Sequence, residues 1–315
     1  MIRRNFLYAA AAFAPLFGAA SGRAFAQAEP PTTIRFAAQA GDDLRPVLYA
    51  LSTGMFKQAG LDVVMQTGNG STTAQAVIGG AVDIGKGTIT AMIAAHARGI
   101  PVVLITPSMI YRKDSPTSGV IVATASPLRT GRDLQGKVVG CSALGGIAYL
   151  GLRSLVDQQG GDSSLIKFIE MPGSATPAAV EAGRIDAGVT EEPFMTEEIR
   201  SGKVRLLLDM FDGYPSPPLE SVFFTTRDFA SKHPEAVARF AKVVQDAAKY
   251  TNTHAAETLP LFVQLSGMDP RLAAQIHHSF TPVSFNAAQI QPVIELAAKY
   301  KAIPASFDAR ELLAQ

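Results

Sequence analysis

The sequence predicts an α/β protein of two similar lobes, entered through an N-terminal export segment. Three observations lead there. Strands and helices alternate over the first two thirds of the chain. A short Gly-x-Val/Ile-Asp-x-Gly corner occurs twice, about a hundred residues apart. The last eighty or so residues read as helix alone.

Residues 1–26 have the layout of a signal peptide. Arg3 and Arg4 form a basic start, Phe6 to Ala20 is apolar and uncharged, and Ala24-Phe25-Ala26 offers small residues for cleavage. The apolar run is short and Ala-rich for a membrane span, which needs about 20 strongly apolar residues. Arg3-Arg4-Asn5-Phe6-Leu7 resembles a twin-arginine motif without its flanking Ser/Thr and Lys, so both export routes stay open. No Cys stands at the cleavage site, so a lipid anchor is not expected, and a freely diffusing periplasmic protein is.

Removing that segment leaves 289 of 315 residues, enough for two domains. Of 28 Lys and Arg, three fall in the segment, so the remainder carries 25 basic against 27 acidic side chains. This balance, without basic clusters, gives no footprint for nucleic acid. Cys141 is the single cysteine, so no internal disulfide forms and stability must come from burial.

In lobe 1 the alternating run Thr33–Ala38 predicts a strand, followed by a helix over 46–58 and a strand over 60–65. A helix over 73–80 leads to a short strand at Val82–Gly85. Lobe 2 begins with the extended run Gly119–Ala123. It continues through Leu134–Gly140, a helix over 145–159, a strand over 166–171 and a last extended run, Val204–Asp209. The two corners are Gly80-Ala81-Val82-Asp83-Ile84-Gly85 and Gly183-Arg184-Ile185-Asp186-Ala187-Gly188, each after an Ala-rich helix. In both, the first Gly can stop the helix in a left-handed conformation. The Asp can bond turn backbone. Helices over 234–250, 257–265, 270–277 and 287–300 form the tail, which packs most simply back on lobe 1. The expected division is lobe 1 at 27–118 plus 222–315 and lobe 2 at 119–221, with hinges near residues 118–119 and 221–223.

These residues resemble the sulfonate/nitrate/taurine-type solute-binding proteins of ABC importers, a superfamily that includes thiamine-pyrimidine-precursor binders. The resemblance is carried by Pro46 with Gly54-Met55-Phe56 and Gly60-Leu61-Asp62-Val63, by both corners, and by Leu134-x-Gly136-Lys137-x-Val139-Gly140. Glu192-Pro193, Thr226-Arg227-Asp228-Phe229 and Pro234-Glu235-x-Val237 add to it. It implies a type II periplasmic-binding-protein fold that closes on a small, mostly anionic solute. The implied partners are an ABC permease and its ATPase, for a monomer without cofactor or metal. A receptor for a tripartite secondary transporter or a sensor is the alternative.

In parallel sheets ligands sit beyond the carboxyl ends of the strands. That rule selects Gln39, Gly70, Ser71, Thr72, Gly87 and Thr88 in lobe 1, and Ser142, Leu144, Gly145, Gly146 and Glu192 in lobe 2. The Gly70 and Ser142 loops precede helices, whose free amides suit an anion. The bland alternative is that their hydroxyls cap those helices. Lys86, Arg112 and Arg153 are candidate charge partners, and a solvated surface is the competing fate of each. Glu191-Glu192 cuts against a simple anion site: one carboxylate can accept a ligand amine or bond a backbone amide as a structural latch, and the latch is favoured for Glu192. Tyr111 is read as a ligand, core or hinge residue, and Cys141 as a buried thiol.

Catalytic patterns do not assemble. Gly140-Cys141-Ser142-Ala143-Leu144-Gly145 is out of register for a nucleophile elbow, and there is no Gly-Lys-Ser/Thr phosphate loop. Five His give no zinc spacing. The yeast-type pyrimidine-synthesising enzymes of the resembling superfamily depend on a cysteine-rich motif that one cysteine cannot supply.

Overall fold

The computed structural model describes residues 31–313 except Asn69; the expected export segment at 1–26 lies outside the described residues. The strands are β1 (Thr32–Ala38), β2 (Leu61–Thr67), β3 (Ile84–Thr88), β4 (Val102–Ile110), β5 (Ser118–Ala123), β6 (Val138–Cys141), β7 (Lys167–Glu170), β8 (Ala187–Glu191), β9 (Val204–Leu208) and β10 (Leu219–Thr226). The helices before the tail are α1 (Arg45–Ser52), α2 (Met55–Gln58), α3 (Gly70–Ile78), α4 (Ile89–Ala97), α5 (Ile147–Gln158), α6 (Thr176–Glu181) and α7 (Phe194–Arg200). The tail holds α8 (Arg227–Lys232), α9 (Pro234–Thr251), α10 (Ala255–Ser266), α11 (Pro270–Ala273) and α12 (Ala287–Lys299).

Two five-stranded sheets result, ordered β2-β1-β3-β10-β4 and β7-β6-β8-β5-β9. Both follow one plan. In the first, β1 runs parallel to β2 and β3, and β10 is antiparallel to β3 and β4. In the second, β6 runs parallel to β7 and β8, and β5 is antiparallel to β8 and β9. Four strands of each sheet therefore point one way. The reversed strand is the one that enters from the other lobe. This is the mostly parallel, two-lobed α/β architecture expected. The second crossing ends early, since β10 joins the first sheet from Leu219 rather than from 222.

The repeated corners do the same work twice. Gly80 and Gly183 stop their helices at φ 73° and 65°. The Asp83 carboxylate accepts the Arg35 backbone N–H of β1 at 2.7 Å, and Asp186 accepts that of Val138 in β6 at 2.8 Å. Each Asp thus stitches the strand it precedes, β3 or β8, to the parallel neighbour β1 or β6, a longer reach than the turn bond expected. The closing glycines permit close helix packing. A Cβ at Gly85 would stand 2.8 Å from Val77 Cγ2, and one at Gly188 2.4 Å from Thr176 Cγ2.

Local chemistry explains the boundary differences. Gly54 takes φ 76°, which splits the single helix expected over 46–58 into α1 and α2. The helix expected over 270–277 ends at Ala273. Beyond it, the backbone N–H of His277 reaches Glu192 Oε1 at 3.3 Å and that of Ser279 reaches Asp42 Oδ2 at 2.7 Å, so tertiary partners replace helical ones. The tail makes contacts with both lobes. Phe240 of α9 packs on Phe36 and Phe223 with ring centroids 5.8 and 5.9 Å apart, all three fully buried. Each such side chain contributes about 1.5–3 kcal/mol on burial. At the other end of the tail, Tyr300 donates to Asp157 of α5 at 2.8 Å.

Candidate functional site

A cavity of about 490 Å³ lies where the carboxyl ends of the two sets of parallel strands meet. Both lobes line it: Gln39 and Lys86-Gly87-Thr88 from the first sheet, Ser142 and Glu191-Glu192 from the second. The reversed strands bring their amino ends to the same place. Glu220 and Ser221 come from β10, which pairs Ser221 with Thr88, and Ser118 comes from β5, which pairs it with Glu191. The tail closes one side with Phe262, Met268, Ile276 and His277. Apolar wall is supplied mainly by Met210, Phe211, Ile147 and Val189. The volume and the mix of apolar wall with few polar groups suit a small organic molecule.

On the lobe 1 side the charges are matched. Lys86 Nζ bonds Asp43 Oδ1 at 2.5 Å, and the hydroxyls of Ser108 and Ser221 donate to Asp43 Oδ2 at 2.9 and 2.8 Å. Burial pushes the Asp43 carboxyl upward, but the Lys86 charge and these three hydrogen bonds outweigh it and hold it below its ordinary range. Asp42 is likewise occupied, by Arg45 Nε at 2.8 Å and by the Ser279 N–H.

At the hinge and on the lobe 2 side the charges are not matched. Glu220 Oε1 is sealed from solvent and has no hydrogen-bond partner among the described residues. Burial first, then the negative charges of Asp43, Asp209 and Glu191, push its carboxyl up to about 8. Glu191 is open to the cavity, yet the surrounding protein also raises its carboxyl above the ordinary range. Glu192 behaves as a latch. It accepts the Thr196 N–H and hydroxyl at 3.1 and 2.7 Å, and its Oε1 takes the His277 N–H from the tail. Tyr111 is a hinge residue: it is buried, donates to Asp209 across the crossing, and stacks obliquely on Phe211 with centroids 4.2 Å apart.

Of the residues selected from sequence, the cavity gathers Gln39, Gly87, Thr88, Ser142 and Glu192. Thr88 also caps α4, accepting the Ala91 N–H at 3.2 Å, so the bland role and the exposed position coexist. Thr72 does not line the cavity, and Gly70 and Ser71 open α3. Leu144, Gly145 and Gly146 also stand outside it. The Leu144 N–H is held by Glu170 at 2.7 Å, and Gly145 turns toward Ala302 of the tail, so of that loop only Ser142 reaches inward. The expected charge partners are engaged elsewhere: Lys86 with Asp43, Arg112 with Asp114, and Arg153 with Tyr149 and Ser163. Cys141 is fully buried, and burial raises its thiol to about 11.

Sequence reasoning passed over Glu220 and the tail residues. The carboxyl-end rule does not look at the amino end of a reversed strand. A signal was present all the same, since Glu220 is a lone carboxylate in the apolar run Leu219 to Phe224.

Two α/β lobes, two reversed crossing strands and a cavity between them define a protein of the periplasmic-binding-protein fold. Solved structures agree. The periplasmic aliphatic sulphonate-binding protein SsuA of Escherichia coli superposes with a TM-score of 0.74 at 21% identity, over 90% of this chain and 92% of that one. The alkanesulfonate-binding protein SsuA of Xanthomonas axonopodis pv. citri, solved with MOPS, gives 0.74 at 20% identity, over 91% and 99%. At such identities the likeness is one of fold.

A family model described as NMT1/THI5 like matches residues 42–258, and the chain belongs to that family. Among curated relatives, a 4-amino-5-hydroxymethyl-2-methylpyrimidine phosphate synthase of Saccharomyces cerevisiae, THI13, is 26% identical over 65% of this chain. The match spans 62% of that relative's length. A putative aliphatic sulfonates-binding protein of E. coli is 25% identical over 75% of this chain and 74% of its own.

Proposed function

We propose that the protein is an exported solute-binding protein of the periplasm, acting as a monomer. It captures a small organic solute between its lobes and presents it to the permease and ATPase of an ABC importer. The observation that carries this reading is the cavity itself, built from both lobes, both crossing strands and the tail at the ends of two matched sheets. Ligand contact is assigned to Gln39, Gly87, Thr88 and Ser142, with Glu192 latching lobe 2 to the tail. The fold neighbours, and the E. coli relative named for sulfonates, support it. No helix among the described residues is long and apolar enough to cross a membrane.

A second reading rests on the relatives named as phosphate synthases. It would make the same cavity a catalytic one. Against it stands the chemistry of this chain: its single thiol is buried and raised, and the one lysine of the wall is paired with Asp43. A sulfonate-like anion, the solute class that the family resemblance favours, meets the same carboxylates.

The test is a thermal-shift screen of the purified protein over sulfonates, carboxylates, amines and nitrogen heterocycles. Capture of a solute raises the midpoint progressively with its concentration above the dissociation constant. A panel in which nothing moves the midpoint overturns the reading. Turnover of any member of it with an added cofactor revives the enzyme.

A further inference from the structure

We propose that the solute taken by this cavity carries a protonated nitrogen group (an ammonium, an amidinium or a protonated aza-heterocycle) seated between Glu220 and Glu191, with its apolar body against Phe211, Phe262 and Ile276. This rests on the reading of the cavity as the solute site, and names the class of solute it takes.

The charges of the wall decide the matter. Five carboxylates line the cavity, Asp42, Asp43, Glu191, Glu192 and Glu220, against one Lys, Lys86, and one imidazole, His277, whose backbone N–H is bound by Glu192. Lys86 is spent on Asp43 at 2.5 Å, and Asp42 is held by Arg45 and Ser279. Glu192 is occupied by Thr196 and the His277 N–H. Two carboxylates remain without a donor among the described residues, Glu220 and Glu191, and both face the cavity. A buried polar atom without a partner is costly, and native structures leave few such atoms unexplained. Turning the Glu220 carboxyl toward the cavity that the residue lines lets a ligand N–H remove the deficit.

The opposing element is the amino end of α5, whose first turn has no side-chain cap and which supplies Ile147 and Ala148 to the wall. A helix end carries roughly half an elementary charge. Against it stand Glu191, which no described residue answers, and Glu220, which even as the uncharged acid offers no cation, so the cavity supplies no net attraction for an anion.

Among the described residues no cation acts on the Glu220 carboxyl. The groups facing it are Asp43 beside the first strand, Asp209 at the end of β9, Glu191 at the end of β8, and the phenols of Tyr111 and Tyr214; Asp43 is neutralised by Lys86, and Asp209 is bonded by Tyr111. Near neutral pH the empty site therefore holds Glu220 as the uncharged acid. On binding, the cationic nitrogen takes the place of that proton, which leaves to bulk water, and the net charge of the pocket is conserved. Binding is then coupled to pH. Affinity for a cation strengthens by about tenfold per pH unit up to about pH 8 and levels off above it.

The experiment compares isosteric probes of opposite charge. Benzamidine, benzoate and benzenesulfonate are added at millimolar concentration, and the thermal midpoint is recorded between pH 6 and pH 9. The expected result is a rise with benzamidine alone, growing with pH, and an affinity lowered at least about tenfold in Glu220→Gln, the equivalent of one lost charge-assisted hydrogen bond. Glu191→Gln, at an open position, gives the same direction with a smaller loss and guards against misfolding of the first variant. Stabilisation by benzoate or benzenesulfonate above that by benzamidine overturns the proposal, as does a benzamidine effect that survives intact in both variants. Silence of all three probes also counts against the charge class. Whether the cavity binds solutes at all is judged separately, by the broad panel.

Discussion

Lobe 1 and lobe 2 share one chain plan and part company in their cleft chemistry. Aligned on their corners, Asp83 and Asp186 are equivalent and do the same stitching. Three residues on, however, Lys86 stands where lobe 2 has Val189, and Thr88 where lobe 2 has Glu191. Lobe 1 thus brings a cation, which it spends internally on Asp43, and a hydroxyl, which it spends on capping α4. Lobe 2 brings a carboxylate that no described residue answers, and the crossing strand adds a second. The repeated geometry builds the jaw. The unrepeated side chains determine what the jaw closes on.

The largest effect that separates the two sides is expected at Lys86. Lys86→Met leaves the Asp43 charge buried without its cation, at a cost of about 3–5 kcal/mol in urea unfolding. Asp43→Asn on top of it restores most of the loss. If Lys86→Met alone is neutral, the account of lobe 1 as internally balanced is wrong.

Glu220→Gln is expected to act in the opposite direction. The unfolded carboxyl releases its proton near pH 4.5, the folded one near pH 8, so the unfolded state binds fewer protons between them. Stability of the empty protein therefore falls as pH rises through this window and is level above it. Glu220→Gln removes that slope and is the more stable protein at pH 8, by an amount on the order of a few kcal/mol. Midpoints measured across the window in both proteins check the sign.

The corners differ less. Asp83 also pairs with the Arg35 guanidinium, Nε at 3.0 Å, and its side chain is 9% exposed against 39% for Asp186. Asp83→Ala is expected to cost about 2 kcal/mol and Asp186→Ala about 1. Equal costs would show that the Arg35 pair contributes nothing.

Thr88→Val is the smallest, about 1 kcal/mol from the lost cap, with weaker solute binding. Ser142→Ala leaves the midpoint of the empty protein unchanged, since its hydroxyl makes no hydrogen bond among the described residues, and weakens the solute alone.

Much of this fold was legible because its elements are marked locally. Alternation in Ile34, Phe36 and Ala38, glycines at 80 and 183, and Pro234 at a helix start each act within a few residues. The site was legible only where it follows the ends of parallel strands, as at Gln39, Gly87, Thr88 and Ser142. What escaped depends on long-range meetings. Glu220 reaches the cavity because β10 is reversed, and Ile276 and His277 because the chain leaves α11 to find Glu192 and Asp42. No local pattern encodes that Lys86 is taken by a residue 43 positions earlier.

The central claim is that solute is held in the cavity between the lobes. The most direct measurement is a calorimetric titration, with the solute that raises the midpoint most, on the wild type and on Ser142→Trp, whose indole occupies the cavity from its wall. The account expects one solute per chain in the wild type, and affinity at least about tenfold weaker in the variant, a loss of about 1.4 kcal/mol, with the empty-state midpoint unchanged. Equal affinity in the two proteins would contradict it.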